Sequence, residues 1–145
     1  MSYSTNVEMA EKVAREAHEG AVDKAGAPYI EHPRRVAERL ETPEERVVGW
    51  LHDVVEDTTV SLGNIATWFG NDTADAVDAV THRKGESWSD YLTRVKAHPI
   101  AKAVKISDLI DNVSLSRLPE VKPKDVMRAA KYVRALYFLM EIDGE

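Results

Sequence analysis

Leu51-His52-Asp53-Val54-Val55-Glu56-Asp57-Thr58 sets four ionisable side chains into an otherwise apolar run, and burying such groups unpaired is costly. The run ends a predicted helix. Thr42-Pro43-Glu44-Glu45 supplies its start, with an N-cap, a proline at the first helical position and a capping box. Val47, Val48, Leu51, Val54 and Val55 then recur at helical spacing and point inward. On one continuous helix Glu56 follows His52 by a turn and Asp57 follows Asp53, so all four share a face toward the C-terminal end. Three clustered carboxylates repel unless a cation sits among them. Acids at a helix C-terminus also oppose the macrodipole, a second reason to expect a cation.

The same grammar extends in both directions. A capping box at Thr5-Asn6-Val7-Glu8 precedes a stripe of Val7, Ala10, Val13, Ala14 and Ala17 that ends near Gly20, and a loop follows to Glu31. Pro33 opens a short helix through Leu40. Ser61 caps a helix that stops at Gly70, Asn71 or Asp72 starts another through Val80, and Gly85 closes the turn after it. Ser87-Trp88-Ser89-Asp90 caps the next, Pro99 opens an apolar helix over Ile100 to Asn112, and Pro119 and Pro123 lead into a last helix from Lys124 to Ile142. The reading is all-α, about eight helices, without a convincing strand, repeat or linker, as one domain over residues 1–145.

Composition narrows the function. The 145 residues carry 19 Lys+Arg against 25 Asp+Glu, a net charge of −6, which argues against a nucleic-acid partner. A small anion held by a few local cations is compatible with that balance. With no cysteine, disulfides, thiolate zinc sites and a cysteine nucleophile are excluded. No run reaches the ~18 apolar residues of a membrane span, and Met1-Ser2-Tyr3-Ser4-Thr5 lacks the basic region of a signal peptide. The expectation is a cytoplasmic protein with no membrane partner.

An imidazole nitrogen beside a carboxylate oxygen suits manganese, iron, zinc or magnesium, so His52 and Asp53 read as ligands. Two ligands hold a metal weakly. His32, in Pro28-Tyr29-Ile30-Glu31-His32-Pro33, and Asp108, in Val104-Lys105-Ile106-Ser107-Asp108, are the further candidates, the latter a carboxylate on an apolar helix.

The order His32, His52-Asp53, Asp108 resembles the HD-domain metal-dependent phosphohydrolases. The surrounding residues are similar to the alarmone hydrolase domains of the RelA/SpoT type, through Ala17-His18-Glu19-Gly20, the segment Lys24 to Pro33, the segment Leu51 to Thr58, and Val104 to Asn112. The likeness runs from about Val7 to Asn112. It implies that His32, His52, Asp53 and Asp108 bind one divalent metal, typically manganese, and that Glu56 and Asp57 are the catalytic acids that orient or deprotonate a water. It places Asn112 on the nucleotide and Lys24 and Lys84 near phosphates or nucleotide. The implied reaction removes the 3′-pyrophosphate of a (p)ppGpp-like nucleotide, and with no length left for a synthesising domain the chain would be a stand-alone hydrolase.

Three departures bear on the substrate. Asp23 stands where the resemblance expects an arginine that can stack on a base, Leu109 where it expects a basic residue, and Ser114 where it expects an arginine. Arg34, Arg35, Arg83 and Lys105 are possible replacements. The losses favour, as one rival, a nucleotidase or pyrophosphohydrolase on ordinary nucleotides; a rival of another class is a non-catalytic nucleotide sensor, against which Glu56 and Asp57 argue. His18 reads as a structural histidine behind the site, and His82 and His98 as surface residues. Trp50, Trp68, Trp88, Tyr132 and Phe138 read as core, and Val133, Leu136, Tyr137, Leu139 and Met140 as either core or the interface of a homo-oligomer.

Overall fold

Local caps set most of the helix boundaries. In the computed structural model, which describes residues 3–141 and the side chains of 6–141, Thr42 Oγ1 accepts from the Glu45 amide at 3.1 Å while the Glu45 carboxylate accepts from the Thr42 amide at 3.1 Å. Ser61 and Asn64 repeat that reciprocal box at 3.0 Å each way, and Ser87 accepts from the Asp90 amide at 3.0 Å. The elements are α1 (Tyr3–Ala17), α2 (Glu31–Glu38), α3 (Pro43–Leu51), α4 (Val54–Asp57), α5 (Leu62–Phe69), α6 (Asn71–Val80), α7 (Trp88–Lys96), α8 (Pro99–Asn112) and α9 (Pro123–Met140). Among the described residues no strand occurs, only an isolated bridge between Val22 and Pro28, and no helix is long and apolar enough to cross a membrane.

Several boundaries differ from expectation. α1 begins at Tyr3, so Thr5 lies inside it rather than capping it. α2 begins two residues before Pro33, at Glu31. A proline is tolerated there because the first four amides of a helix have no partner inside it. α9 ends at Met140; the expected end, Ile142, lies outside the described residues.

The largest difference splits one expected helix in two. His52 Nδ1 donates to the Gly49 carbonyl at 2.7 Å, the acceptor that a continuing helix would offer to the Asp53 amide, and Asp53 adopts φ −105° and ψ −6°. The chain turns there. His52 and Asp53 therefore precede α4, so the expected continuous helix is interrupted, while Asp57 still follows Asp53 by one turn, its amide donating to the Asp53 carbonyl at 2.9 Å.

α3 and α8 lie at the centre, α3 against α1, α2, α6 and α8, and α8 against α2, α6, α7 and α9. The core contains Val48, Leu51, Val54, Ile65, Val77, Tyr91, Val95, Val104, Leu109 and Leu139. Small residues allow close approach: Ala10 and Ala14 are fully buried on α1, and a Cβ on Gly49 would lie 3.1 Å from Ala37 Cα on α2. The buried Ser107 hydroxyl donates to the Val36 carbonyl at 2.8 Å and ties α8 to α2.

Two histidines read as surface residues have structural roles. His82 stacks on Tyr91 with ring centroids 4.6 Å apart and donates from Nε2 to the Glu86 carbonyl at 2.7 Å. His98 caps α8, its Nδ1 accepting from the Ala101 amide at 3.3 Å. Of the expected core aromatics, Trp50 is buried, Trp88, Tyr132 and Phe138 are half-buried, and Trp68 is exposed. On α9 Leu139 is buried and Leu136 half-buried, whereas Val133, Tyr137 and Met140 are exposed.

Candidate active site

Four side chains from three separated segments of the sequence meet where α2, the α3/α4 turn and α8 converge. His32 Nε2 lies 2.8 Å from Asp108 Oδ1 and 3.7 Å from Asp53 Oδ2. His52 Nε2 lies 3.1 Å from Asp53 Oδ2 and 3.3 Å from Asp108 Oδ1. Ligand atoms of His32, His52 and Asp53 all fall within 4.8 Å of one another, and Asp108 joins them through both imidazoles. Nitrogen and oxygen ligands at about 2.1 Å from a divalent ion sit about 3.0 to 3.4 Å from their neighbours; the two His52 separations fall in that range and the two from His32 lie on either side of it, within a small adjustment of one shared ion.

The outer nitrogens support the same reading. His52 Nδ1 donates to the Gly49 carbonyl and His32 Nδ1 lies 2.7 Å from Asp111 Oδ2, so both rings turn Nε2 toward the cluster. Burial works against charge on both imidazoles, but Asp53 and Asp108 beside His52, and Asp108 and Asp111 beside His32, hold each above the ordinary histidine value. Burial likewise works against ionised Asp53 and Asp108. His52 nevertheless holds Asp53 below the usual carboxylate range, and Lys105, His32 and His52 do the same for Asp108. Such a set attracts positive charge, whether protons or a metal ion.

Neighbouring groups fix the carboxylates. The Tyr29 hydroxyl donates to Asp53 Oδ2, Asn112 Nδ2 donates to Asp108 Oδ1 at 3.0 Å, and Lys105 Nζ donates to Asp108 Oδ2 at 2.8 Å. The Lys105 ammonium also lies 5.6 Å from the Trp88 ring centroid, and Lys131 lies 4.2 Å from it. His18 packs against Tyr29 at 4.9 Å, with its Nε2 buried and unpartnered, and burial lowers its pKa. That is the structural position expected for it.

Glu56 and Asp57 are exposed on α4. Partial burial and the charge of Asp53 raise both above ordinary carboxylate values, so each is a readier proton acceptor than a free acid. A cavity of about 420 Å³ opens beside the cluster, with His32, Asp53 and Asp108 in its wall. Lys24, Arg35, Lys105, Arg117 and Arg128 bring positive charge to it, and Asn112 and Tyr132 also line it.

The remaining candidates divide. Lys84, exposed between α6 and α7, is not part of this wall, and neither are Glu56 and Asp57 on α4. Arg34 pairs with Glu31 and Glu38, and Arg83 with Asp78; Arg35 and Lys105 reach the cavity while paired with Asp111 and Asp108. Asp23 and Ser114 line it too, while Leu109 is fully buried in the core. Asp23 has a local task, its Oδ1 accepting from the amides of Ala25 and Ala27, both at 2.9 Å. Sequence reading missed Asp111, Arg117 and Arg128. The one signal for them was spacing: Asp111 lies a helical turn beyond Asp108, and Arg128 a turn before Tyr132.

The family described as HD domain matches residues 10–113. A probable guanosine-3′,5′-bis(diphosphate) 3′-pyrophosphohydrolase of Synechocystis is 33% identical over 129 residues, covering 77% of this chain and 17% of the relative. The bifunctional (p)ppGpp synthase/hydrolase SpoT of Escherichia coli is 40% identical over 73 residues, covering 48% of this chain and 10% of the relative. The chain thus spans less than a fifth of the length of these relatives. Among solved structures, a metazoan ortholog of SpoT that hydrolyses ppGpp superposes with a TM-score of 0.78 at 20% identity, over 92% of this chain and 84% of the other, a likeness of fold.

Proposed function

Since the chain belongs to the HD-domain family, we propose that it is a metal-dependent phosphohydrolase that removes the 3′-pyrophosphate of (p)ppGpp-like nucleotides in the cytoplasm. The observation that carries this reading is the convergence of His32, His52, Asp53 and Asp108 beside a cavity bordered by five basic side chains. In this reading the four side chains hold one divalent ion, manganese by the family resemblance. When bound, such an ion supplies Lewis acidity toward water and a phosphoryl oxygen. Glu56, with Asp57 beside it, takes the proton of the attacking water, for which its raised pKa suits it. Water adds to the phosphorus next to the ribose, the bond to the 3′-oxygen breaks, that oxygen takes a proton from solvent to become the 3′-hydroxyl while Glu56 returns its own, and pyrophosphate and the 5′-nucleotide leave. Asn112 and Lys24 bind the nucleotide from the cavity wall; Lys84 would have to approach from outside that wall.

Hydrolysis of ordinary nucleotides is the second reading, favoured by the Asp23 carboxylate in the cavity wall, which disfavours a second phosphate nearby. One panel separates the two: purified protein with manganese, offered 3′-pyrophosphorylated guanosine and adenosine nucleotides and plain 5′-nucleotides. Release of pyrophosphate from the first group, abolished in Asp53→Ala together with bound metal, is the expected result. Cleavage of plain nucleotides alone overturns the substrate, and binding without turnover of any leaves a nucleotide sensor. The exposed Val133, Tyr137 and Met140 support a homo-oligomer, which sedimentation of the same sample reads directly.

A further inference from the structure

Asp111 is 1% exposed, more deeply buried than the four clustered residues, and no step above uses it. A buried carboxylate without partners is strongly disfavoured. Asp111 has several: Arg35 Nε at 2.7 Å and Arg39 Nη1 at 3.2 Å reach Oδ1, while His32 Nδ1 at 2.7 Å and Arg35 Nη2 at 3.1 Å reach Oδ2. Arg117 Nη2 adds an ion pair at 3.5 Å and donates to the Asp111 carbonyl at 2.8 Å.

This arrangement bears on which nitrogen of His32 carries the proton. Two carboxylates compete for it, Asp111 at Nδ1 and Asp108 at Nε2, the latter 2.8 Å away. A proton on Nε2 would remove the lone pair that faces the cluster. We propose that Asp111 is a positioning residue that keeps the His32 proton on Nδ1 and so leaves Nε2 free to bind the metal ion. The proposal rests on the reading of His32 as a ligand. Asp111 is suited to this because its arginine partners hold it ionised and fixed, acting only as an acceptor toward the ring.

Asp111→Asn is a sharp test because the arginines choose how the amide sits. Two arginine N–H groups, at 2.7 and 3.2 Å, bond at the Oδ1 position against one, at 3.1 Å, at Oδ2, so the balance favours the amide oxygen at the first, which turns the NH₂ toward His32 and obliges Nδ1 to accept. The proton then moves to Nε2, the wrong tautomer for binding. Long-range ¹⁵N–¹H NMR of the zinc-loaded wild-type protein is expected to show His32 protonated at Nδ1 only. In Asp111→Asn, metal-free His32 is expected with its proton on Nε2, and the manganese dissociation constant, measured by chelator competition, weakened about 10- to 100-fold. A wild-type His32 protonated at Nε2 overturns the proposal even if the variant fails to fold. Wild-type manganese affinity in a folded Asp111→Asn overturns it as well. Asp53→Ala separates the two levels: if it loses the metal while Asp111→Asn keeps it, only this proposal fails, and if it too keeps the metal, the reading of the cluster fails.

Discussion

Glu56 combines exposure with a raised pKa, an uncommon pair of properties for a surface acid. Partial burial and the fixed charge of Asp53 both resist its ionisation, so replacement by a neutral isostere removes a proton acceptor and little structure. Glu56→Gln is expected to keep its metal by elemental analysis while kcat falls about 10²- to 10⁴-fold, the usual scale of general-base catalysis. An unchanged kcat would remove Glu56 from the mechanism. The convergence of the four candidates was legible in part at this scale: His52, Asp53 and Asp108 interrupt apolar helical runs, whereas His32 stands out only by its place in the family-like order. Asp23 was legible only as a departure: its bonds to the Ala25 and Ala27 amides give it a local structural reason to be an acid.

Helix starts were legible because a cap and its partner lie within four residues, as at Thr42 with Glu45 and Ser61 with Asn64. The break between α3 and α4 was not, since its cause is a side chain competing for a backbone carbonyl inside an apolar run that otherwise reads as unbroken. Gly49 shows the tension between local preference and packing. Alanine is the better helix former by about 1 kcal/mol. A Cβ there, however, would meet Leu40 Cδ1 at 2.8 Å and Ala37 Cα at 3.1 Å, and the second of these is backbone. Gly49→Ala is therefore expected to destabilise the fold by about 1 to 3 kcal/mol in urea unfolding, the range for overpacking. A gain in stability would mean that α2 can move away from α3 freely.

Some of the contacts that assemble the molecule join residues more than seventy positions apart, as between His32 or Arg35 and Asp111, and no periodicity reports them. All-α architecture could be read from pattern alone. The basic wall formed by Arg35, Arg117 and Arg128 could not, because each arginine by itself looks like an ordinary solvated charge. Trp88 carries a practical consequence of this assembly. Its indole senses two ammonium groups, and one of them, Lys105, is bonded to Asp108. Loading the cluster with magnesium, which is optically silent, is therefore expected to change tryptophan emission, and Trp88→Phe to abolish the change, with Trp50 in the core and Trp68 on α5 contributing a constant background. An unaltered spectrum at saturation would mean that Lys105 does not respond to the ion. The fold would thus carry its own fluorescent gauge of site loading, with no dye attached.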